Sequence, residues 1–263
     1  MFSSSFTFHQ RLSPQLRASL KSVVVKAIDI LPIKWRLEVL AWRFGSDKET
    51  HGYIPHYAGH FARFRDRQIN ILEIGIGGYE SHGGGESLRT WQRYFPRATV
   101  HGLDIFDKKR HEASRIRIYQ GDQGDKEALR KLAKSIGPIH IIIDDGSHMN
   151  QHVHASFEAL FPLLENGGVY VIEDMQTAYL KSMGGSSTDL SMPGTSMNLV
   201  KGLCDELNSM YIPNRAETPL SRWIDAIHVY RNIAFIEKRD NTGHFVSEAM
   251  REMMREEAAQ AAA

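Results

Sequence analysis

The chain has 263 residues, of which 42% are hydrophobic and 24% charged, and its formal net charge is +1. These values are typical of a folded globular protein, and no basic field of the kind that favours nucleic acid stands out. The single cysteine, Cys204, excludes an internal disulfide framework, and no apolar run is long enough to span a bilayer, so we expect a cytoplasmic protein without a membrane span or a secretory leader.

The N-terminal region begins with two predicted helices within residues 13–44. Pro32 separates them and can open the second helix at its first turn. Apolar residues fall mostly on one face of the second helix, which is typical of a cap or an oligomer contact. A polar loop with aromatic residues is expected from residue 45 to about residue 67. Its candidates for an acceptor pocket are His51, His56, Tyr57 and His60.

The middle of the chain alternates predicted strands and helices. The predicted strands cover residues 70–75, 99–104, 115–119, 139–143 and 168–172, and the predicted helices cover residues 87–95, 126–135 and 151–164. This rhythm indicates an open parallel sheet with helices on both faces. Two β-rich runs near the end, at residues 226–230 and 234–237, predict an antiparallel pair that closes the sheet. The expected fold class is therefore α/β and Rossmann-like, with a mostly parallel sheet and added N-terminal helices.

Three segments follow from this organisation. Residues 1–66 are the predicted helical cap with the loop that follows it, residues 67–240 the main domain, and residues 241–263 a tail. Residues 181–193 are rich in Gly, Ser and Met, and we expect them to form a mobile loop over the site. The alanines at the end of the chain indicate a frayed helix end or a foreign addition.

A glycine-rich loop follows the first predicted strand, in the run LEIGIGG at residues 72–78. Gly75 and Gly77 fit the first two glycines of the dinucleotide fingerprint G-x-G-x-x-G, but Glu80 replaces the third. Glu73 places a carboxylate two residues before the first glycine, where it would repel a pyrophosphate and attract a cation. S-adenosylmethionine carries an ammonium and a sulfonium group, so the sequence favours this methyl donor over a dinucleotide.

Two further acids lie at the ends of the next strands. Asp104 ends the second strand, where a carboxylate can accept hydrogen bonds from both ribose hydroxyls. Asp122 follows the third strand, beside Gln123, at a place suited to the adenine amine. Each acid alone is more often a turn residue or a helix cap. Acids at three successive strand ends nevertheless support a nucleoside ligand.

A cluster of acids follows the fourth and fifth strands. The run IIIDDGSH brings Asp144, Asp145 and His148 to the end of the fourth strand, and the fifth strand ends in Glu173 and Asp174. Carboxylates crowded together repel one another, and a divalent cation relieves that repulsion. Oxygen ligands favour Mg²⁺, with Mn²⁺ or Ca²⁺ as alternatives. We predict Asp145, Glu173 and Asp174 as ligands, while Asp144 orients the donor or a backbone turn; the competing interpretation is that these acids cap helices.

His148 is the predicted general base, because an imidazole titrates near neutral pH and lies three residues after Asp145. A sugar hydroxyl is a poor nucleophile, and a metal bound to its oxygen makes deprotonation easier. The oxygen would then attack the donor methyl group in one displacement. A metal site built from His148 and His152 is disfavoured, because no H-E-x-x-H pattern is present.

Several runs together carry a resemblance to a known family. LEIGIGGY, GGGESLRTWQRYFP, HGLDIFDK, IRIYQGDQ, IDDGSH and GGVYVIEDMQTAY occur in order, after GSDKETHGYIPHY and before GTSMNLVK and IHVYRNIAFIEK. They resemble the metal-dependent sugar O-methyltransferases of the mycinamicin and macrocin type. The resemblance implies a Rossmann-like class I methyltransferase fold that binds S-adenosylmethionine and Mg²⁺.

The resemblance also implies roles for individual residues. The metal ligands would be Asp145, Glu173 and Asp174, with His148 as the base. The donor pocket would include Glu73, Gly75, Asp104, Asp122 and Gln123. A saccharide or glycoside acceptor from polysaccharide or antibiotic biosynthesis is implied, as is a homo-oligomer, and the sequence is expected to lack the larger auxiliary N-terminal domain of the macrolide enzyme.

Three rival functions stay open at this stage. A metal-dependent O-methyltransferase of a catechol-like molecule would also chelate the ion through two acceptor oxygens. A binding protein could keep the fold and lose the chemistry, but the intact carboxylates and His148 count against it. A nicotinamide oxidoreductase is disfavoured by Glu73 and the missing third glycine.

Overall fold

The structure is a computed structural model that describes residues 13–28, 30–78, 80, 83–212, 215–241 and 246–261. Its strands form one sheet, and they are β1 (Asn70–Ile74), β2 (Thr99–Asp104), β3 (Ile116–Gln120), β4 (Ile139–Asp144), β5 (Leu164–Ile172), β6 (Ile224–Tyr230) and β7 (Ile233–Lys238). The order across the sheet is β3-β2-β1-β4-β5-β7-β6. The first five strands are parallel, and β7 lies antiparallel between β5 and β6. The predicted mostly parallel sheet with an antiparallel C-terminal pair is confirmed.

The α-helices described in the structure are α1 (Pro14–Ile28), α2 (Leu37–Phe44), α3 (Ile54–Phe61), α4 (Glu86–Tyr94), α5 (Lys126–Ile136), α6 (Asn150–Leu160), α7 (Ser196–Leu207), α8 (Pro219–Trp223) and α9 (Glu248–Ala261). None of these helices is both long enough and apolar enough to cross a membrane.

The sheet is buried between two apolar layers, one on each face. Side chains from α2, α3 and α4 pack on one face, with Phe61 and Trp91 fully buried. Side chains from α5, α6 and α7 pack on the other face, with Phe157 and Leu160 fully buried. Because both faces are covered, the central strand β4 is continuously apolar and buried over Ile141–Ile143.

Several predicted boundaries were wrong, and each has a local cause. Pro32 opens a 3-10 turn, Pro32–Trp35, and not the second helix. Arg36 adopts an extended backbone with ψ of 139°, so α2 begins only at Leu37. The helix predicted to run to residue 164 ends at Leu160, because Pro162 lies in the 3-10 turn Phe161–Leu163 that leads into β5.

The segment from residue 45 to residue 67, predicted as a loop, is largely helical. It contains the 3-10 turns Asp47–Glu49 and Ala62–Phe64 as well as α3. Tyr57, Phe61 and Phe64 are fully buried and recur at helical spacing, so they anchor this segment to the sheet. The glycines, proline and histidines of the segment hid that periodicity. The consequence for the site is that α3 holds side chains against the tips of the strands.

Residues 181–193, predicted as a mobile loop, contain the turn Lys181–Met183. The buried Asn150 side chain donates to the carbonyl oxygens of Thr177 and Met183, at 3.1 and 2.9 Å. These bonds fasten the start of the loop to the beginning of α6. Movement of the loop over the site stays a prediction.

Candidate functional site

The carboxyl ends of β1, β4 and β5 lie side by side. Ile74 pairs with Asp144, and Asp144 pairs with Ile172. The chain therefore leaves the sheet on two neighbouring strands, at Asp145 after β4 and at Glu173 after β5. The acidic cluster predicted from sequence requires β4 and β5 to be neighbours, and the structure shows that they are.

Three side chains converge at this edge. His148 Nε2 lies 3.4 Å from Asp174 Oδ2 and 3.9 Å from Asp145 Oδ1. One donor atom from each residue lies within 4.8 Å of the other two, a spacing that could hold a metal ion. The side chains are partly open to solvent, with exposed fractions of 24% for His148, 22% for Asp145 and 17% for Asp174. We call Asp145, His148 and Asp174 the open cluster.

Two members of the open cluster have a left-handed backbone. His148 has φ of 55° and Asp174 has φ of 52°. A non-glycine residue in this region costs of order 1–3 kcal/mol, and such residues concentrate at functional sites. Tyr53 supports the arrangement by donating its hydroxyl to Asp174 Oδ1 at 2.7 Å. The backbone thus aims both side chains into the same space.

Glu173 lies on the buried side of the open cluster. Its Oε1 accepts hydrogen bonds from the hydroxyl of Tyr57 and from Lys48 Nζ, the latter at 2.6 Å. Lys48 Nζ also donates to Asp145 Oδ2 at 2.6 Å and lies 3.3 Å from Glu73 Oε1. Lys48 therefore bridges the open cluster to two fully buried carboxylates.

The carboxylates outnumber the cations at this point. Burial by itself lowers the pKa of Lys48, but the charges of Asp145, Glu173 and Glu73 outweigh burial and hold that pKa well above its usual range. Burial raises the pKa of Glu73 to about 7 against the opposing charge of Lys48. Burial also raises the pKa of Glu173, helped by the charge of Asp145. One lysine facing three carboxylates leaves excess negative charge, which a proton or a divalent cation would offset.

Lys48 and Tyr53 were not among the site residues predicted from sequence. Both lie in the segment GSDKETHGYIPHY, which was assigned to a loop before the main domain. A charged residue followed by aromatic residues at helical spacing was the available signal. Recognising α3 would have placed this segment against the strand tips.

The glycine loop after β1 makes close backbone contacts. Gly75 has φ of 87°, and a Cβ there would lie 1.9 Å from the carbonyl oxygen of Asp145. The side chain of Asp104 accepts from the backbone N–H groups of Ile76 and Phe106, each at 2.9 Å. Gly77 has φ of 81° and is exposed. The loop therefore presents bare backbone at the edge of the sheet, as a nucleoside ligand requires.

Lys108 was also missed by the sequence analysis. Its side chain is buried, and Nζ donates to the carbonyl oxygens of Gly77, Gly78 and Gly83 at 2.8, 2.9 and 3.0 Å. These bonds tie both limbs of the glycine loop to the segment after β2. An isolated lysine in a turn-rich sequence gives no pattern that would predict this role.

Two residues predicted for the donor pocket point inward. Glu73 has no exposed surface and accepts hydrogen bonds from Ser87 and Trp91. Asp144 is 2% exposed, and burial raises its pKa to about 6. Its carboxylate accepts from Gln123 Nε2 at 2.6 Å. In this conformation both carboxylates are hydrogen-bonded to neighbouring side chains, so they support the walls of the site.

The remaining predicted residues divide in two. Gln123 bridges β3 to β4, since its Oε1 accepts from the backbone N–H of Ser147 at 2.9 Å. Asp122 is exposed and accepts from the N–H of Gly124 at 2.7 Å, a turn contact that leaves its outer surface open.

The suggested acceptor-pocket residues do not share one place. Tyr57 is fully buried against Glu173 and cannot line a pocket in this conformation. His60 contacts Glu237 on β7, away from the open cluster. His51 is exposed, and His56 stacks on Tyr230 with ring centroids 3.8 Å apart.

The open cluster fits a hard divalent cation. Two carboxylates each contribute one oxygen there, next to the negative charge of the buried acids. Carboxylate oxygen is the ligand that Mg²⁺ prefers. His148 Nε2 is close enough to be a third ligand or to act on a ligand of the ion. The geometry alone permits both roles.

Known proteins similar to this chain are methyltransferases. No protein-family profile matches it. It is 48% identical over 195 residues to the mycinamicin VI 2''-O-methyltransferase of Micromonospora griseorubida, covering 73% of this chain and 49% of the relative. It is 47% identical over 210 residues to the 8-demethyl-8-alpha-L-rhamnosyl tetracenomycin-C 2'-O-methyltransferase of Streptomyces olivaceus, covering 78% and 55%. The chain thus spans about half the length of the curated relatives it matches.

A solved structure supports the same comparison. The MycE methyltransferase from the mycinamycin biosynthetic pathway, in complex with Mg and SAH, matches with a TM-score of 0.77 and 44% identity. The match covers 81% of this chain and 57% of that chain. A second structure of MycE, which also contains mycinamycin VI, matches with the same TM-score and identity. The predicted Rossmann-like class I methyltransferase fold is confirmed.

Proposed function

About three quarters of the chain is homologous to sugar O-methyltransferases, and on that premise we propose that the protein is an S-adenosylmethionine-dependent and Mg²⁺-dependent O-methyltransferase that acts on a hydroxyl of a glycoside. The observation that carries the proposal is the convergence of Asp145, His148 and Asp174 within 4.8 Å at the tips of β4 and β5.

Asp145 and Asp174 would hold the cation. Glu173 would be the third carboxylate ligand, and both described hydrogen bonds to it end on Oε1, so we assign Oε2 to the ion. When bound, Mg²⁺ would lower the pKa of the acceptor hydroxyl and fix its position. Lys48 would hold the carboxylates of Asp145 and Glu173 beside each other, because its Nζ donates to both at 2.6 Å.

His148 would remove the proton from the acceptor hydroxyl. Its Nε2 faces the two carboxylates, 3.4 Å from Asp174, so a hydroxyl placed between them lies within hydrogen-bond reach of the imidazole. The oxygen then displaces the donor sulfur from the methyl carbon, and the products are the methyl ether, S-adenosylhomocysteine and one proton held at His148.

The glycine loop would bind the methyl donor. Asp104, already fixed by two backbone N–H groups, has lone pairs left to accept from the ribose hydroxyls. Gly75 and Gly77 let the loop backbone approach the donor, and Asp122 would accept from the adenine amine. Lys108 would keep the loop in an open conformation by donating hydrogen bonds to the carbonyl oxygens of the loop.

The acceptor class is supported first by the relatives, two of which are named for methyl transfer to glycosides. The short helical turn after Asp174 ends at Tyr179, which is 39% exposed and is followed by Leu180, 46% exposed. Exposed apolar side chains this close in sequence to a proposed metal ligand are compatible with a sugar attached to an apolar group. We therefore propose an antibiotic-type glycoside as the acceptor. The homo-oligomer implied by the family resemblance stays a prediction.

The test is methyl transfer from labelled S-adenosylmethionine to a panel of acceptors. The panel contains rhamnosides and other deoxysugar glycosides with apolar aglycones, the matching free sugars, and catechol. We expect transfer to a glycoside with Mg²⁺ present, loss of transfer in EDTA, and recovery when Mg²⁺ is restored. Full activity in EDTA would contradict the metal role, and transfer to catechol alone would contradict the acceptor class.

A further inference from the structure

A second group of metal-type side chains lies outside the open cluster. It consists of His60 on α3, His228 on β6 and Glu237 on β7. One donor atom from each residue lies within 4.8 Å of the other two. The group does not depend on the proposed methyltransferase activity, and none of its members contacts Asp145, His148 or Asp174 in the described bonds. We call it the hairpin cluster.

The fold brings these three side chains together on one face. His228 and Phe235 are paired residues of the antiparallel hairpin β6–β7, and Glu237 lies two residues beyond Phe235 on the same face. Helix α3 crosses that face and lays the ring of His60 on Phe235, with centroids 4.2 Å apart. Each metal-ligand atom therefore comes from a different element of the fold. Packing fixes the side chains of two of the three residues.

The distances suit a transition metal after a small movement. His60 Nδ1 lies 3.3 Å from Glu237 Oε1, and His228 Nε2 lies 3.6 Å from the same oxygen. Ligand bonds of about 2.0–2.1 Å at a tetrahedral angle place neighbouring ligand atoms about 3.3 Å apart. The side chain of His228 is 40% exposed and free to adjust, whereas those of His60 and Glu237 are only 11% and 14% exposed.

The second nitrogen of His60 is already supported. Nε2 lies 3.2 Å from the hydroxyl of Tyr230, so coordination through Nδ1 would leave Nε2 to donate to that oxygen. Metal-bound histidines almost always have such an outer partner, which fixes the ring and its tautomer. Tyr230 is itself held by stacking on His56.

The carboxylate of Glu237 has a charged partner on its other oxygen. Arg63 Nη1 donates to Glu237 Oε2 at 2.9 Å, and Oε1 is the oxygen that faces the two imidazoles.

From this geometry we propose that His60, His228 and Glu237 form a second divalent metal site, selective for Zn²⁺-class ions and not for Mg²⁺. Two imidazoles and one carboxylate match the ligand types of zinc, and the exposed side of His228 leaves a coordination position for water. A bound ion would tie α3 to the hairpin β6–β7. Tyr57 lies one turn earlier on the same helix, so the ion would also steady the helix that contacts Glu173.

Cobalt is the probe for this site, because Co²⁺ replaces Zn²⁺ and absorbs visible light strongly when it is four- or five-coordinate, whereas hydrated Co²⁺ absorbs only weakly. The full chain is titrated with Co²⁺ in excess Mg²⁺, which competes at the oxygen-rich open cluster. We expect a visible absorption band that saturates at one ion per chain. His228→Ala should weaken Co²⁺ binding by at least about tenfold. Asp174→Asn and the exposed-histidine control His51→Ala should leave the band in place.

Arg63→Met gives an independent test with the opposite sign. Removing the guanidinium frees Glu237 Oε2 and removes a repelling charge, so Co²⁺ should bind more tightly than to the unaltered chain. The proposal is overturned if His228→Ala binds Co²⁺ like the unaltered chain, or if Asp174→Asn alone abolishes the band. If His228→Ala does not fold, unchanged or weaker binding by Arg63→Met overturns it.

Discussion

The two halves of the sheet edge use their acids differently. At the tips of β4 and β5, Asp145 and Asp174 face His148 and solvent, and the nearby carboxylates outnumber Lys48. At the tips of β1 and β2, Asp104 is matched by two backbone N–H groups and Glu73 is buried among side chains. Acids at strand ends can therefore either gather charge for an ion or build the loop that holds a ligand.

This difference has a chemical consequence. The β4–β5 half keeps excess negative charge at a partly exposed place, and it stays available for a cation and a proton transfer. In the β1–β2 half, most of the hydrogen-bonding capacity of the acids is already used within the protein. This half therefore offers a ligand the shape of its loop and a few remaining lone pairs. Substitutions in the two halves should therefore affect different measured quantities.

The largest effect is expected from the β4–β5 half. Asp174→Asn keeps the size of the side chain and an oxygen that can accept from Tyr53, but it removes the charge that would hold the cation. We expect turnover to fall by at least roughly 100-fold, since metal activation contributes several kcal/mol. Donor affinity, measured by calorimetry with S-adenosylmethionine, should stay near that of the unaltered chain.

The matched control is Asp205→Asn, which alters an exposed acid on α7. It should keep full turnover and the same dependence on Mg²⁺. If Asp174→Asn kept both as well, the distinction between the two halves would collapse, because the β4–β5 acids would then do no more than cap turns.

A smaller effect is expected from the β1–β2 half. Asp104→Asn should weaken S-adenosylmethionine binding by about 10- to 100-fold, because a hydrogen bond to a charged group contributes about 1.5–3 kcal/mol. The Mg²⁺ concentration that gives half-maximal activity should not change. A thermal melt of the same variant, recorded without the donor, measures how much stability is lost with the Ile76 and Phe106 contacts. That loss can then be separated from the loss of donor binding. If donor affinity did not change, the ribose hydroxyls would have to be bound by another residue.

Periodicity was enough to predict the sheet and its edge. Short apolar runs with glycines or acids at their ends predicted the strands and placed Asp145 and Asp174 at strand ends, but the position of β4 beside β5 came from the structure. The direction in which a carboxylate points could not be predicted either. Glu73 and Asp144 occupy the same kind of position as Asp145, and only packing from α4 and α6 decides that they are buried.

The helical cap is a region where prediction from local sequence failed. Residues 45–67 carry glycine, proline and histidine among their aromatics, so local propensity indicated a loop, and burial against the sheet overrides it. Because α3 was missed, so were Lys48 and Tyr53, which act across more than 90 residues of sequence. Ion pairs between residues far apart in sequence cannot be read from the periodicity of one segment. The family resemblance gave roles only for the residues that its motifs assign.

The most direct test of the central claim is the rate of methyl transfer by His148→Ala, measured at saturating donor and glycoside while the Mg²⁺ concentration is raised. If His148 takes the proton from a hydroxyl beside the ion, the rate should fall by about 10²- to 10⁴-fold and stay low at every Mg²⁺ concentration. A rate that recovers as Mg²⁺ is raised would make His148 a metal ligand, and a rate close to that of the unaltered chain would remove it from the chemistry altogether.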